Sequence, residues 1–312
     1  DSVEHSTWLS LMKPRLELLR MLLKDDGVFL AQIDKIQNAY LKILLDEVFG
    51  RQFYITTLAI RMSATSGFKI EHTDKTIVKN VEYIHLYSFN LDIKEKSFEE
   101  NMEYDSHYSL IINENMGILT FNRLTEEPFV KNQMTSYNLP ITNDSLSILY
   151  SRSNEFRDYI RENSEYICRS HTAPSLARQE YLNGQLLNNS ESNRVEIKEY
   201  SGTKYFLRKT LSGVDQLIPI KLKMNFVDKT GIKDVLSLTN ILGDWWDGFH
   251  LDMGNVENEG GVEFKNGKKP ERLLRRIFRM FTLPGDLVLD SFLGSGTTAA
   301  VAHKMGRKYI GI

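Results

Sequence analysis

The sequence predicts an α/β protein, an open sheet flanked by helices and divided by a long insertion. Three stretches predict it. Residues 8–50 read as helix, strand and helix, and then run into two β-rich segments. Residues 286–312 read as a strand, a glycine loop, a helix and a second strand. Between about 92 and 235 that rhythm lapses, and the chain turns rich in Asn, Ser, Glu and Tyr. Alternating helices and strands indicate an open sheet with helices packed on it.

Taken in order, Leu9, Met12, Leu16, Leu19 and Leu23 have helical spacing. Pro14 lies inside that run, so the expectation is a short helix followed by a second one starting near Pro14. Asp25-Asp26-Gly27 breaks the pattern, and Val28–Ile33 reads as a buried strand that ends at Asp34. Ile36, Tyr40, Ile43, Leu44 and Val48 set up an amphipathic helix closed by Gly50. Tyr54–Met62 and Val81–Phe89 are suited to pair as a long hairpin. The polar segment between them, Ser63–Lys79, carries Lys69, His72, Lys75 and Lys79, with Arg61 just before it. The middle segment has one expected helix, Asn154–Tyr166, and reads as an inserted, irregular domain. The expected division is therefore 1–91, 92–235 and 236–312. After the insertion come Asp244-Trp-Trp-Asp-Gly-Phe249, a glycine-rich loop to 261, and a helix over Pro270–Phe281. Pro284-Gly285 then turns into the strand Asp286–Asp290, the glycine loop, a helix from Thr297 and the final strand.

Composition narrows the function classes. With 41% hydrophobic and 26% charged residues, the 312-residue chain is an ordinary globular sequence, not a disordered or fibrous one. No apolar run approaches the roughly 18 residues of a membrane helix, and the first residues lack the basic-then-apolar pattern of a signal peptide. Cys168 is the single cysteine, which excludes an internal disulfide or a cysteine zinc site and suits the cytoplasm. The net charge of −2 hides a pattern. Residues 101–150 carry two bases (Arg123, Lys131) against six acids, whereas 264–280 carry seven bases against Glu271 alone. Residues 201–235 carry seven bases against three acids. Local basic surface of this kind can hold phosphate, and it can equally be a salt-bridged face.

The chemistry concentrates in Asp286-Leu-Val-Leu-Asp-Ser-Phe-Leu-Gly-Ser-Gly-Thr-Thr298. A strand ends in Asp290, Phe292 and the glycines Gly294 and Gly296 follow, and two threonines open a helix. Glycines let a ligand approach the backbone where a Cβ would clash. The helix start offers unpaired N–H groups and a positive dipole end to a carboxylate. Thr297 and Thr298 add hydroxyls, and Asp290 can accept from an ammonium. Together they suit an amino-acid-like group. Such glycines can also do no more than turn a strand into a helix. No Lys stands where a phosphate loop needs it, and Ala299 replaces the third glycine of a dinucleotide fingerprint. S-adenosylmethionine is left as the leading ligand.

At these residues the sequence resembles a known family. Asp290-Ser-Phe-Leu-Gly-Ser-Gly-Thr-Thr298 is similar to the S-adenosylmethionine motif of the amino-group DNA methyltransferases. Asn266-Gly-Lys-Lys-Pro-Glu-Arg-Leu-Leu274 resembles the Lys-Pro segment that precedes that motif in the β-order subgroup. Trp8–Leu16, Leu23–Phe29 and Ile33-Asp34 resemble the part that follows the family's catalytic loop, and Glu82-Tyr-Ile-His-Leu-Tyr87 its next core strand. The resemblance covers roughly 6–90 and 240–312, and is nearest to modification subunits of type III-like restriction systems.

The resemblance implies a Rossmann-like S-adenosylmethionine-dependent methyltransferase sheet with an inserted target-recognition domain. It implies methyl transfer to the exocyclic N6 of adenine in double-stranded DNA. Cytosine N4 or a non-catalytic DNA-binding module derived from the family are the alternatives, and the insertion disfavours an RNA or small-molecule substrate. Asp290, Phe292, Gly294, Gly296, Thr297, Thr298 and Lys269 are the implied cofactor residues, with Asp34 beside the same cleft. Arg61, Lys69, Lys75 and Tyr87 are the implied DNA or base contacts, with core packing the alternative for Tyr87. Trp245 and Trp246 are candidates for a cap over cofactor or base, or for core. Arg272, Arg275, Arg276 and Arg279 form a basic helix stripe, either solvated or phosphate-facing, and His303 is expected to be structural. No metal is implied. A restriction subunit and a homodimer are the implied protein partners. The family's Asp-Pro-Pro-Tyr loop is absent, since no two of the seven prolines adjoin. The expectation is that this loop lies before Asp1, that Ile312 interrupts a strand, and that the segment alone is catalytically inert.

Overall fold

The computed structural model describes residues 2–64, 77–171, 194–200, 203–210, 213–228, 234–261, 264 and 267–312. The chain divides into two compact units, one comprising Asp1–Ser97, Asp228–Lys233 and Ile241–Ile312, the other Phe98–Val227 and Asp234–Asn240. Among the described residues no helix is long and apolar enough to cross a membrane.

The first unit opens with α1 (Ser2–Leu22), β1 (Val28–Ile33), α2 (Asn38–Leu45) with a π-helical turn Asp46–Gly50, β2 (Tyr54–Arg61) and β3 (Val81–Ser88). Helix α1 is one helix, with Pro14 inside it, and not the two expected. Apolar side chains on both sides of Pro14 (Trp8, Leu9, Met12, Leu16 and Leu19) pack into one cluster with Leu41, Leu44 and Leu45 of α2. At about 1.5–3 kcal/mol per buried apolar side chain, that cluster outweighs the roughly 3 kcal/mol that an interior proline costs. Strands β2 and β3 form the expected antiparallel hairpin, from Tyr54↔Tyr87 to Arg61↔Val81. Strand β1 lies antiparallel to β3, with Gln32 opposite Ile84.

The second unit contains β4 (Phe98–Glu100), β5 (Leu110–Asn115), β6 (Ile118–Arg123), α3 (Pro128–Ser136), α4 (Asp144–Arg152) and α5 (Asn154–Glu162). It continues with β7 (Ile167–His171), β8 (Arg194–Tyr200), β9 (Thr203–Thr210), β10 (Gly213–Pro219), β11 (Met224–Asp228) and β12 (Asp234–Ile241). Far from irregular, it holds a closed barrel in the order β10-β7-β5-β6-β8-β9 and a sheet β11-β12-β4. The barrel encloses Ile112, Cys168, Val195 and Leu217, with Leu119, Phe121 and Phe206 against them. Burial pushes the Cys168 thiol up to about 12, so it stays protonated. A second core gathers Leu124, Val130, Met134, Leu146, Phe156 and Ile167 around the three helices. Helix α5 is capped by Ser153, whose Oγ accepts from Phe156 N at 3.0 Å.

Asp105 anchors this unit. It accepts from His107 Nδ1 at 2.7 Å, Arg169 Nη1 at 3.2 Å and Lys223 Nζ at 3.1 Å. Burial alone would raise its pKa, but the hydrogen bonds from His107 and Lys223 outweigh burial and hold it down to about 2. The folded value lies below the unfolded one, so this stabilisation is complete above about pH 4 and is lost as pH falls towards 2. Asp105→Asn is expected to cost roughly 2 kcal/mol at pH 7 and to flatten that acid limb. Urea midpoints of both proteins from pH 2 to 7 test it; parallel curves would remove Asp105 as the cause.

The chain returns to the first unit with β13 (Trp245–Trp246), α6 (Glu271–Phe281), β14 (Leu287–Asp290), α7 (Thr297–Lys304) and β15 (Lys308–Gly311). Strand β13 adds in parallel to β2, giving the order β1-β3-β2-β13, while β14 and β15 form a separate parallel pair. The single sheet expected from the sequence is thus divided. Among the described residues, no strand bonds the outer edge of β1 or the second edge of β14. One core serves both pieces, with Ile60, Ile84, Leu86, Trp246, Leu273, Ile277, Phe281 and Val301 packed together and Val28 and Val288 against them.

Candidate cofactor site

The site forms where β14 stops. Leu287–Asp290 pair with Lys308–Gly311 in parallel, and the chain then turns through residues 291–296 into α7. Two hydrogen bonds fasten the turn to the end of β15, Ile312 N to Asp290 O at 3.0 Å and Leu293 N to Ile312 O at 3.1 Å. The Leu293 side chain lies on Gly311, where a Cβ would come within 2.5 Å of Leu293 Cδ2. Asp290 Oδ1 accepts from Phe292 N at 3.0 Å, and Phe292 is 56% exposed.

Both loop glycines are needed for the backbone. Gly294 has φ +55° and Gly296 φ +79°, in the left-handed region that side chains with a Cβ rarely adopt. They differ in surroundings. A Cβ on Gly294 would meet Phe264 Cζ at 3.8 Å, whereas one on Gly296 would meet nothing within 4 Å among the described residues. Gly296 precedes α7, whose first turn no side chain caps. Ser295 Oγ and Thr297 Oγ1 lie 2.9 Å apart, so the two hydroxyls order one another. Thr297 is buried and Thr298 half-buried. The result is an open, backbone-lined cradle at a helix start, with a carboxylate on one side. That geometry fits an amino-acid-like group carrying both charges.

The other expected residues are placed as follows. Lys269 Nζ donates to Glu82 Oε2 at 2.5 Å, and that oxygen also accepts from Gln32 Nε2 at 2.8 Å. Asp34 Oδ1 accepts from Ile36 N at 2.9 Å and Gln37 N at 3.3 Å, capping the turn before α2. Arg61 pairs with Asp247 at 3.3 Å, while its buried Nε has no partner among the described residues. Lys69 and Lys75 lie outside the described residues. Tyr87 corrects an expectation: it is 0% exposed, tilted against Phe49 and Tyr54, and donates to Asp46 Oδ1 at 2.8 Å. Burial, then the Asp46 carboxylate, pushes its phenol far above the ordinary value. No face of that ring is left for a base. Trp246 is likewise core, and Trp245 is half-exposed.

The basic stripe on α6 is largely structural. The Arg272 guanidinium lies 4.6 Å over Phe249 and pairs with Asp252 at 2.8 Å. That of Arg276 lies over both Trp246 and Phe249. All four arginines of the stripe are half-buried, so the choice between solvated and phosphate-facing left out packing on aromatic rings. His303 contacts Tyr309 edge-on within the same element pair. Sequence reasoning missed two residues that stand against ones it named, Phe264 beside Gly294 and Glu82 on Lys269. Glu82 lay inside the family-like strand, but an ion pair across 187 positions leaves no spacing to read.

Comparison with known proteins places the chain in a family. Over 330 aligned residues the chain is 35% identical to the probable type III restriction-modification enzyme HindVI Mod subunit of Haemophilus influenzae, spanning 100% of this chain and 42% of that protein. It is 26% identical over 311 residues to the type III restriction-modification enzyme EcoPI Mod subunit of Escherichia phage P1, spanning 97% of this chain and 44% of that one. The chain therefore covers less than half the length of these relatives. Among solved structures, the cytosine-N4-specific PvuII DNA methyltransferase aligns over 99% of this chain and 66% of its own, at 13% identity and a TM-score of 0.39, too distant to carry an argument. The DNA methylase family pattern matches residues 1–312, and the chain belongs to that family.

Proposed function

We propose that this chain is the S-adenosylmethionine-binding and target-reading part of a DNA methyltransferase that methylates the N6 amino group of adenine within a restriction-modification system. The observation that carries the reading is the cradle at Gly296, left-handed, open above, and set on an uncapped helix start beside Asp290. When bound, S-adenosylmethionine supplies an electrophilic sulfonium methyl. The chain's own residues hold and orient. The backbone N–H groups of α7 take the carboxylate, Asp290 takes the ammonium with the oxygen not used by Phe292, and the exposed Phe292 ring covers an apolar edge. Gly294 and Gly296 let that ligand come close. Most of the rate then comes from holding donor and amino group in line, with the base turned out of the duplex at a cost of a few kcal/mol.

The same reading makes β1-β3-β2-β13 and β14-β15 two parts of one Rossmann-like sheet. The shared core supports it. The second unit, with its closed barrel, is the proposed target-recognition domain, double-stranded DNA the proposed substrate, and a restriction subunit the proposed partner.

The test is incubation of the full-length protein with labelled S-adenosylmethionine and double-stranded DNA, followed by nucleoside analysis. N6-methyladenine is the expected product. N4-methylcytosine would replace the adenine assignment, and S-adenosylmethionine binding without incorporation would favour a DNA-binding module.

A further inference from the structure

Three residues of β2, β3 and β13 meet in one row on the sheet face turned away from α6 and α7. Leu58, Ile60, Ile84 and Trp246 belong to the core on the α6 and α7 side, so their strand neighbours Ala59, Tyr83 and Trp245 lie on the opposite face. The register brings those three together, with Tyr83 opposite Ala59 and Ala59 beside Trp245. Trp245 is 48% exposed, and Tyr83 and Ala59 are half-buried. Among the described residues no side-chain hydrogen bond or ring contact engages either aromatic. A single exposed ring at a sheet edge needs no explanation. Two rings flanking an alanine, a small residue somewhat depleted in strands, are harder to account for as surface scatter.

The dimensions suit a planar guest. Strands about 4.8 Å apart place the Tyr83 and Trp245 Cα atoms about 10 Å apart. A flat ring stacked between two others needs about 7 Å, two contacts of about 3.5 Å. Further along β2, on the same face as Ala59, stands Arg61, whose Nη1 donates to Asp247 Oδ2 at 3.3 Å. Its Nε is buried and has no partner among the described residues. The Arg61 and Asp247 side chains are 28% and 42% exposed. This end of the row therefore offers a guanidinium donor beside a carboxylate acceptor. A nucleobase carries the complement, a flat face with donors and acceptors along one edge.

We propose that Tyr83 and Trp245 are the walls, and Ala59 the floor, of a slot for a nucleobase drawn out of the DNA, its polar edge towards Arg61 and Asp247. The inference rests on the DNA reading above and deepens it, by naming where an unstacked base is received. Stacking on Trp and Tyr suits any base, so the walls supply affinity, while Arg61 and Asp247 favour a base with a matching edge. The slot returns part of the free energy that the base loses on leaving the duplex.

The test uses the full-length protein and two short duplexes, one fully paired and one identical but for a single bulged 2-aminopurine, a fluorescent adenine analogue. The wild type is expected to bind the bulged duplex about 10-fold more tightly than the paired one, the scale of one base–aromatic stack, and to quench the 2-aminopurine emission. Trp245→Ala is expected to lose both the preference and the quenching, with thermal midpoint and S-adenosylmethionine affinity near the wild-type values. Trp245→Phe keeps a stacking face and should retain most of both. Tyr83→Leu keeps apolar bulk without a flat face, and should reduce the preference as well. Unchanged preference and quenching in Trp245→Ala would overturn the inference. So would a wild type that binds both duplexes equally and without quenching. A loss of S-adenosylmethionine affinity in Trp245→Ala that spares the bulged duplex would also overturn it, by assigning the slot to the cofactor's own adenine. A wild type that binds neither duplex would overturn the DNA reading itself, and this inference with it.

Discussion

Gly296→Val is expected to weaken S-adenosylmethionine binding by the full-length protein about 100-fold or more, on the order of 3 kcal/mol. Two effects of the new side chain must be kept apart. The first is strain, because a β-branched residue at φ +79° pays of order 1–3 kcal/mol in the folded state. The second is occupation. Among the described residues no atom lies within 4 Å of the new Cβ, so its methyl groups fill the space assigned to the ligand. Gly117 separates these effects. It turns between β5 and β6 in the other unit with the same φ of +79°, and a Cβ there also meets nothing within 4 Å. Gly117→Val should therefore lower the thermal midpoint by a similar amount while leaving S-adenosylmethionine affinity unchanged. Calorimetric titration of both variants decides the matter. If Gly296→Val binds like the wild type, the cradle is only a turn.

That contrast also explains why the loop was legible before the structure and much else was not. Gly294, Gly296 and the two threonines sit within a few residues of one another, and backbone conformation restricts which residues can stand there. The hairpin of β2 and β3, the helix ending at Phe281 and the strand ending at Asp290 were legible for a similar reason: period and punctuation are local. The barrel was not. Its interior includes Cys168, and its strands carry charges such as Arg169, Arg208 and Asp215 that pair across neighbouring strands or with nearby loops. The eye meets these as polar loops, although Arg208 and Asp215 match once β9 and β10 are laid side by side. Pro14 misled in the opposite sense, as a strong local signal overruled by packing. Tyr87 and Glu82 sit in one strand and were quoted together. Only three-dimensional neighbours separate them, Asp46 burying the first and Lys269 engaging the second.

Trp246→Ala is the substitution expected to cost the most stability, about 3–5 kcal/mol. The ring is 0% exposed and stands in the core that joins α6 and α7 to the sheet. Its Nε1 donates to Gly243 O at 3.0 Å, and the Arg276 guanidinium lies 5.2 Å over its face. Truncation empties the cavity, leaves the Gly243 carbonyl without that donor, and removes one of the two rings under Arg276. Phe249, at 4.7 Å, keeps the guanidinium partly covered, so the cost should stay within that range. The neighbouring Trp245 supplies the control. It is 48% exposed on the same two-residue strand, and Trp245→Ala should change stability by less than about 1 kcal/mol. Urea unfolding followed by far-ultraviolet circular dichroism compares the two without relying on tryptophan emission. Equal, small losses would mean that Trp246 is not the packed core residue its burial indicates, and would reopen its candidacy as a cap over the cofactor or a flipped base. A large loss confined to Trp246 leaves Trp245 as the member of the pair with a free face for either role.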